Sequence, residues 1–279
     1  MKKFFECGKI MTTATGLAVY FLMGSCTSMP SKVEGLRKTP SNMVLIPAGE
    51  FEMGSDEGEI DEKPIHTVYL DAFYIDRTEV TVADYRKCVS AGKCIKPKTV
   101  SSYTGILCNW GNPDRENHPI NGVGWKGAKD YCQFMGKRLP TEAEWEKAAT
   151  WKDGEKHKFP SGKPTISCED AVMDDGNKYD GHGSDGCGKG RTWPVGSKSE
   201  EINGTFDMAG NVLEWVADYY GRYSKEHQRN PQGPSSGSRR VFRGGGWYNI
   251  DSQLRGTIRF NFYPSFRYGF LGFRCACTP

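Results

Sequence analysis

Residues 153 to 205 are dense in Gly, Asp, Ser and Lys and follow neither the 3.6-residue period of an amphipathic helix nor the alternation of a strand. Residues 228 to 238 have the same character in Pro, Gly and Ser. So much irregular chain argues against a compact domain unless covalent links or bound ions hold it. Links are available, because eight cysteines follow Cys26: Cys88, Cys94, Cys108, Cys132, Cys168, Cys187, Cys275 and Cys277. An even count reads as disulfides in an oxidising compartment. A zinc site is the rival, but no two closely spaced CxxC motifs occur.

The N-terminus points to that compartment. Lys2 and Lys3 precede an apolar stretch from Ile10 to Met23, and Gly24-Ser25 lead into Cys26. This is the layout of a secretory signal over residues 1–25, too short and too interrupted by threonines for a good membrane span. Leu22-Met23-Gly24-Ser25-Cys26 resembles a bacterial lipobox, with Met23 where Leu is usual, so Cys26 is the expected lipidation site and plain secretion the alternative. Residues 26–42 have almost no large apolar side chains and read as a flexible tether. The expectation is an exported bacterial lipoprotein on the periplasmic face or cell surface, joined to a membrane by its lipid. The net charge of +3 becomes about +1 when Lys2, Lys3, Lys9 and Glu6 leave, so no nucleic-acid partner is expected. A hydrophobic fraction of 37% permits a real core.

Met43 to Met53 and Thr67 to Ile75 alternate apolar with polar residues, which predicts strands joined across a turn-rich acidic loop, Gly54 to Pro64. Val80 to Val89 and Trp125 to Met135 carry helical spacing and are followed by Gly92 and Gly136. Thr141 and Glu144 form a capping box, predicting a helix from about Glu142 to Ala149. Val241 to Arg243 and Phe270 to Cys275 read as late strands. There is no internal repeat.

Several ordered segments together resemble the formylglycine-generating-enzyme, or sulfatase-modifying factor, family. They are Met43-Val44-Leu45-Ile46-Pro47-Ala48-Gly49, Glu79-Val80-Thr81, His118-Pro119-Ile120-Asn121, Gly136-Lys137-Arg138-Leu139-Pro140-Thr141-Glu142-Ala143-Glu144-Trp145-Glu146, Asp207-Met208-Ala209-Gly210-Asn211-Val212 with Glu214-Trp215, Arg243-Gly244-Gly245-Gly246-Trp247, and Gly272-Phe273-Arg274-Cys275. The resemblance covers residues 43–279 as one domain. It implies an α+β fold, a variant of the C-type lectin-like fold, low in regular secondary structure and stabilised here by disulfides. It also implies a Cys132–Cys275 bridge. Cys88 with Cys94 encloses a short turn, Cys168 with Cys187 would clamp the irregular loop, and Cys108 with Cys277 remain as a fourth pair.

Active relatives oxidise a cysteine of unfolded sulfatases to formylglycine with O2 and copper(I) held by two cysteines shortly after the Gly-Gly motif. Here those positions read Asn249 and Leu254, and no cysteine occurs from 188 to 274. Soft thiolates select copper(I), so copper and the oxidase chemistry are not expected. A related subset holds iron with histidines of an added helical domain; His66, His118, His157, His182 and His227 have no metal-ligand spacing. Calcium is expected from Asp207, Gly210, Val212 and Glu214, which match a family calcium site, with a capping role for Asp207 as the alternative. A second site is in doubt because Val172 stands where Asn is expected, although Asp174 and Asp175 are near. Trp247, Tyr248, Asn249, Arg255 and Arg259 match a stretch that lines the family's peptide groove; the alternative is core aromatics with guanidinium groups stacked on them or paired with carboxylates.

Three functions follow: an envelope module binding a peptide, glycan or protein, an oxidoreductase modifying exported sulfatases, or a structural part of an envelope or motility complex. The absent thiols favour the first over the second.

Overall fold

A computed structural model describes residues 42–100, 108–175, 187 and 190–279. The signal, Cys26, the tether up to residue 41 and His182 lie outside the described residues.

The opening alternation forms β1 (Met43–Ile46) and β2 (Gly49–Met53), answered by β3 (His66–Leu70) and β4 (Phe73–Asp76). β2 and β3 make the expected antiparallel hairpin, in register from Gly49 opposite Leu70 to Met53 opposite His66. β1 instead pairs antiparallel with β4. Alternate residues of β3, His66, Val68 and Leu70, are buried, so the period of two places one face on the core.

Three helices follow. α1 (Val82–Ser90) starts after Thr81, whose hydroxyl accepts from the Asp84 amide at 3.1 Å. It therefore begins two residues later than its apolar spacing suggested. α2 (Trp125–Phe134) ends before Gly136, whose φ of 69° few other residues tolerate. α3 (Glu142–Thr150) has the expected capping box: the Glu144 amide donates to Thr141 Oγ1 at 3.2 Å and the Thr141 amide to Glu144 Oε2 at 2.8 Å. All nine of its residues are buried, four of them charged.

The chain then makes a short hairpin, β5 (Trp151–Lys152) and β6 (Glu155–Lys156), and runs irregularly to β7 (Leu213–Tyr219). After β8 (Gln228–Arg229) come β9 (Arg240–Arg243), β10 (Phe260–Phe262), β11 (Leu271–Gly272) and β12 (Ala276–Cys277). One sheet has the order β10-β9-β7-β11, β8 joins β3, and β12 pairs with β4, so the last strand shares a sheet with the first. Tyr85, Trp215 and Phe273 centre one apolar cluster, and Phe51, Ile75 and Trp145 another.

Cys88–Cys94, Cys132–Cys275 and Cys168–Cys187 are disulfides with Cα separations of 5.3, 5.7 and 5.3 Å. The second links α2 to Cys275, the residue just before β12, across 143 residues of sequence, and the third crosses the irregular loop. The remaining two do not pair. Cys108 is free and buried against Gly122, while Cys277 is free in β12 with its Sγ 3.7 Å from Met43 Sδ. The two thiols have different neighbours, Gly122 for one and Met43 for the other, and neither meets a second thiol among the described residues.

The cap of a fully buried helix has no water to replace it. Thr141→Ala is expected to lower unfolding free energy by about 1–2 kcal/mol and Thr141→Ser by much less, measured by urea denaturation.

Candidate functional site

Buried charge organises the centre of the domain. On α3, Glu142 accepts from Arg243 Nη1 at 2.9 Å and from Arg259 Nε and Nη2 at 2.7 and 2.8 Å. Glu146, completely buried, accepts from Arg243 Nη2 at 2.7 Å and from the Gly54 amide at 2.7 Å. Lys147 donates to the carbonyls of Pro47 and Gly49 at 2.9 and 2.8 Å, and burial pulls its ammonium down to about 8. Burial opposes ionisation of Glu142, but the two guanidinium groups outweigh it and leave the carboxyl below its ordinary range.

Trp145 carries this network to β7. Its indole donates to Glu214 Oε2 at 2.8 Å, and Arg274 donates to both Glu214 oxygens at 2.7 to 3.0 Å. Arg274 also reaches the Asp76, Arg77 and Phe206 carbonyls at 3.2, 3.0 and 2.8 Å. Gly244, at φ 93°, lies on Trp145; a Cβ there would meet the Met208 carbonyl oxygen at 2.9 Å.

Beyond the glycine triplet, Asn249 and Leu254 both serve architecture. Asn249 is 3% exposed, accepts from the Gly246 amide at 2.9 Å and donates to Gln253 Oε1 at 2.8 Å. Leu254 is 1% exposed and packs with Phe159, Ile166 and Met173. Burial pushes the free Cys108 thiol up to about 11 and also raises Cys277, so neither is a ready thiolate.

The five residues of the expected groove do not gather on one open surface. Trp247, Asn249 and Arg259 are buried. Arg259 stacks on Tyr223 and bonds Glu142, and Arg255 forms a two-pronged pair with buried Glu62 at 2.7 Å for each bond. Tyr248 packs on Phe270, with ring centroids 4.6 Å apart. Both guanidinium groups are paired with buried carboxylates.

Of the expected calcium residues, Asp207 and Glu214 are both buried, but Glu214 is occupied by Arg274 and Trp145. Asp207 has φ 58° and accepts from the Gly196 amide at 2.6 Å through Oδ2, while its buried Oδ1 has no donor. Glu79, which sequence reading placed only in a motif, has a second such oxygen, Oε2; its Oε1 accepts from Asn211 Nδ2 at 3.0 Å. Burial raises both carboxyls above their usual range, and the charge of Asp207 raises Glu79 further. Among the described residues no three His, Cys, Asp or Glu side chains converge as a metal set. Asp207 and Glu79 thus each keep one buried carboxyl oxygen without a donor, while both Glu214 oxygens are taken by Arg274 and Trp145. At the second position Val172 is fully buried, and its carbonyl accepts from the Asn211 amide at 2.8 Å.

Two surface hollows flank the loop that carries Asn249 and Leu254, and Asp251 lines both. The first, of about 650 Å³, includes Glu169, Asp174, Asp175 and Ile250. The second, of about 420 Å³, includes Lys156, His157, Lys158 and Arg255. A third hollow, of about 360 Å³, is lined by His66, Tyr223, Arg259 and Asp218. No sequence signal marked Asp218. Its Oδ2 accepts from the Glu142 amide at 2.8 Å, and burial, followed by the charge of Glu142, pushes its carboxyl up to about 8.

Comparison with known proteins agrees with this architecture. The sequence profile described as "Sulfatase-modifying factor enzyme 1-like domain" matches residues 30–279. The chain is 35% identical to serine/threonine-protein kinase pkn1 of Chlamydia pneumoniae over 85% of its own length but only 38% of the kinase's, so it spans well under half of that relative. It is 32% identical to bovine (Bos taurus) formylglycine-generating enzyme, covering 88% of this chain and 78% of that one. Among solved structures, PvdO from Pseudomonas aeruginosa superposes with a TM-score of 0.71 at 29% identity, covering 85% of this chain and 94% of that one.

Asp218 and Glu201, which burial raises to about 7, stay protonated in the folded chain to higher pH than an unfolded carboxyl, which ionises near pH 4. Their contribution is complete below about pH 4 and is lost as pH rises through about 7 and 8. Thermal unfolding midpoints should fall between pH 6 and pH 9. Asp218→Asn keeps the acceptor for the Glu142 amide and should flatten that fall; an unchanged slope would remove Asp218 from the account.

Proposed function

The chain belongs to the sulfatase-modifying factor family, and we propose that it is an exported, lipid-anchored member that binds a peptide segment of an envelope or exported protein without oxidising a thiol. The observation that carries this reading is the fate of the two copper positions. Asn249 closes the turn onto the Gly246 amide, and Leu254 fills a small apolar cluster. An amide oxygen and an isobutyl group offer no soft ligand for copper(I), and both are committed to holding the loop. The surface of that loop remains concave, between a carboxylate-lined hollow and a lysine-lined one. An extended peptide with basic residues at one end and acidic residues at the other complements that distribution, which would fix its direction of binding. Sulfatase oxidation and a place in an envelope assembly are the competing functions.

The oxidase function is separable by one titration. The purified full chain in detergent should bind copper(I) no better than a Cys108→Ser/Cys277→Ser variant and should yield no aldehyde from a cysteine-containing sulfatase peptide. Stoichiometric copper(I) binding with aldehyde formation would overturn the reading.

Calcium enters the proposal as a structural ion at Asp207. Two buried carboxyl oxygens without donors support it, and binding to the folded state alone would stabilise the fold. Millimolar calcium should raise the thermal midpoint of the parent chain, and Asp207→Ala should abolish the rise. A midpoint indifferent to calcium would assign those oxygens to a proton shared between Glu79 and Asp207.

A further inference from the structure

On a separate part of the surface, Arg115 and Arg191 line a pocket of about 330 Å³ with Asn112, Asp114 and His118. We propose that this pocket is a binding site for a tetrahedral oxyanion, a phosphate or sulfate group, held between the Arg115 and Arg191 guanidinium groups. Neither arginine has an ion-pair partner among the described residues, although the arginines at the centre of the domain are paired with carboxylates. Asp114 shares the pocket but forms no ion pair with either, and Glu116 next to Arg115 is taken by Arg86. Burial, and then the charge of Arg191, weaken the hold of Arg115 on its proton, as expected for two like charges brought together. An oxyanion between them converts that repulsion into two charge-assisted attractions.

The position of Arg115 is built rather than incidental. Its Nη1 donates to Asn109 Oδ1 at 2.8 Å, and Asn109 is completely buried. Asn109 is fixed in turn by the Pro119 carbonyl at 2.8 Å, by Thr192 Oγ1 at 3.0 Å, and by the Asn121 side chain, which accepts from its backbone amide at 2.7 Å. Thr192 also bonds His118 Nδ1 at 3.0 Å, so the wall beside Arg191 belongs to the same network. A guanidinium held in place before binding loses little freedom when the anion arrives. Arg191, by contrast, is exposed and makes no hydrogen bond or ion pair among the described residues, leaving its donors available.

The test is isothermal titration of the full chain in detergent with inorganic phosphate and, separately, inorganic sulfate at low ionic strength. Arg115→Gln, Arg191→Gln and the exposed control Lys126→Gln are compared with the parent chain. One anion per chain is expected, with affinity reduced about tenfold or more by either arginine change and unchanged by the control. Preference for sulfate over phosphate, or the reverse, identifies which ester a natural ligand carries. Arg191→Gln keeps every contact described here, so its result does not depend on the fold surviving the Arg115 change. Equal binding by the parent chain and Arg191→Gln, or an equal loss in Lys126→Gln, would overturn the proposal. Neither outcome bears on copper(I) binding or on the loop at Asn249.

Discussion

The fold depends on the neutralisation of α3. A helix with all nine residues buried carries Glu142, Glu144, Glu146 and Lys147 into a medium where an unpaired charge is very costly. Glu142, Glu146 and Lys147 find partners in distant parts of the chain, and Glu144 finds one close by. Arg243 and Arg259 come from the last fifth of the sequence, the Gly54 amide and the Pro47 and Gly49 carbonyls come from the opening strands, and Arg138 closes on Glu144 at 2.6 Å. None of these contacts adds much net stability by itself, because desolvation offsets most of the attraction. Their effect is to make one arrangement of loops acceptable and most others expensive. That is how a chain with so little regular structure keeps a single form alongside three disulfides.

Much of this arrangement is local and therefore visible in the sequence. The capping box before α3, the opening alternation and the glycine stop after α2 each depend on residues within a few positions of one another. The family resemblance supplied the Cys132–Cys275 bridge, which spacing alone could not. Contacts across about a hundred residues were not legible. Nothing in Arg259 marks it as the partner of Glu142, and a run of aromatics with arginines reads equally well as a groove or as a core. In the structure Trp247 and Arg259 are buried, while Arg255 and Arg259 each line a surface hollow. The fourth cysteine pair failed for a related reason, since an even count says nothing about where two thiols finish.

The loop after the glycine triplet is held by its own contacts. Gly244 is required where the backbone presses on Trp145, and Gly246 is bonded by Asn249, so the turn persists without thiols. Membership of the family fixes the architecture and leaves the activity open. The charged surfaces around the domain, the two hollows beside Asp251 and the arginine pocket beside Thr192, use loops rather than the elements of the core. Binding properties can change there without disturbing α3.

A double-mutant cycle between Arg243 and Glu146 tests this dependence most directly. Unfolding free energies of the parent chain, Arg243→Met, Glu146→Gln and the double variant give the coupling between the two groups. The account predicts a coupling of about 2 kcal/mol or more, with the double variant less impaired than the two single losses added together. A coupling below about 0.5 kcal/mol would mean that the buried pair does not act as a unit, and that something else holds α3 in place.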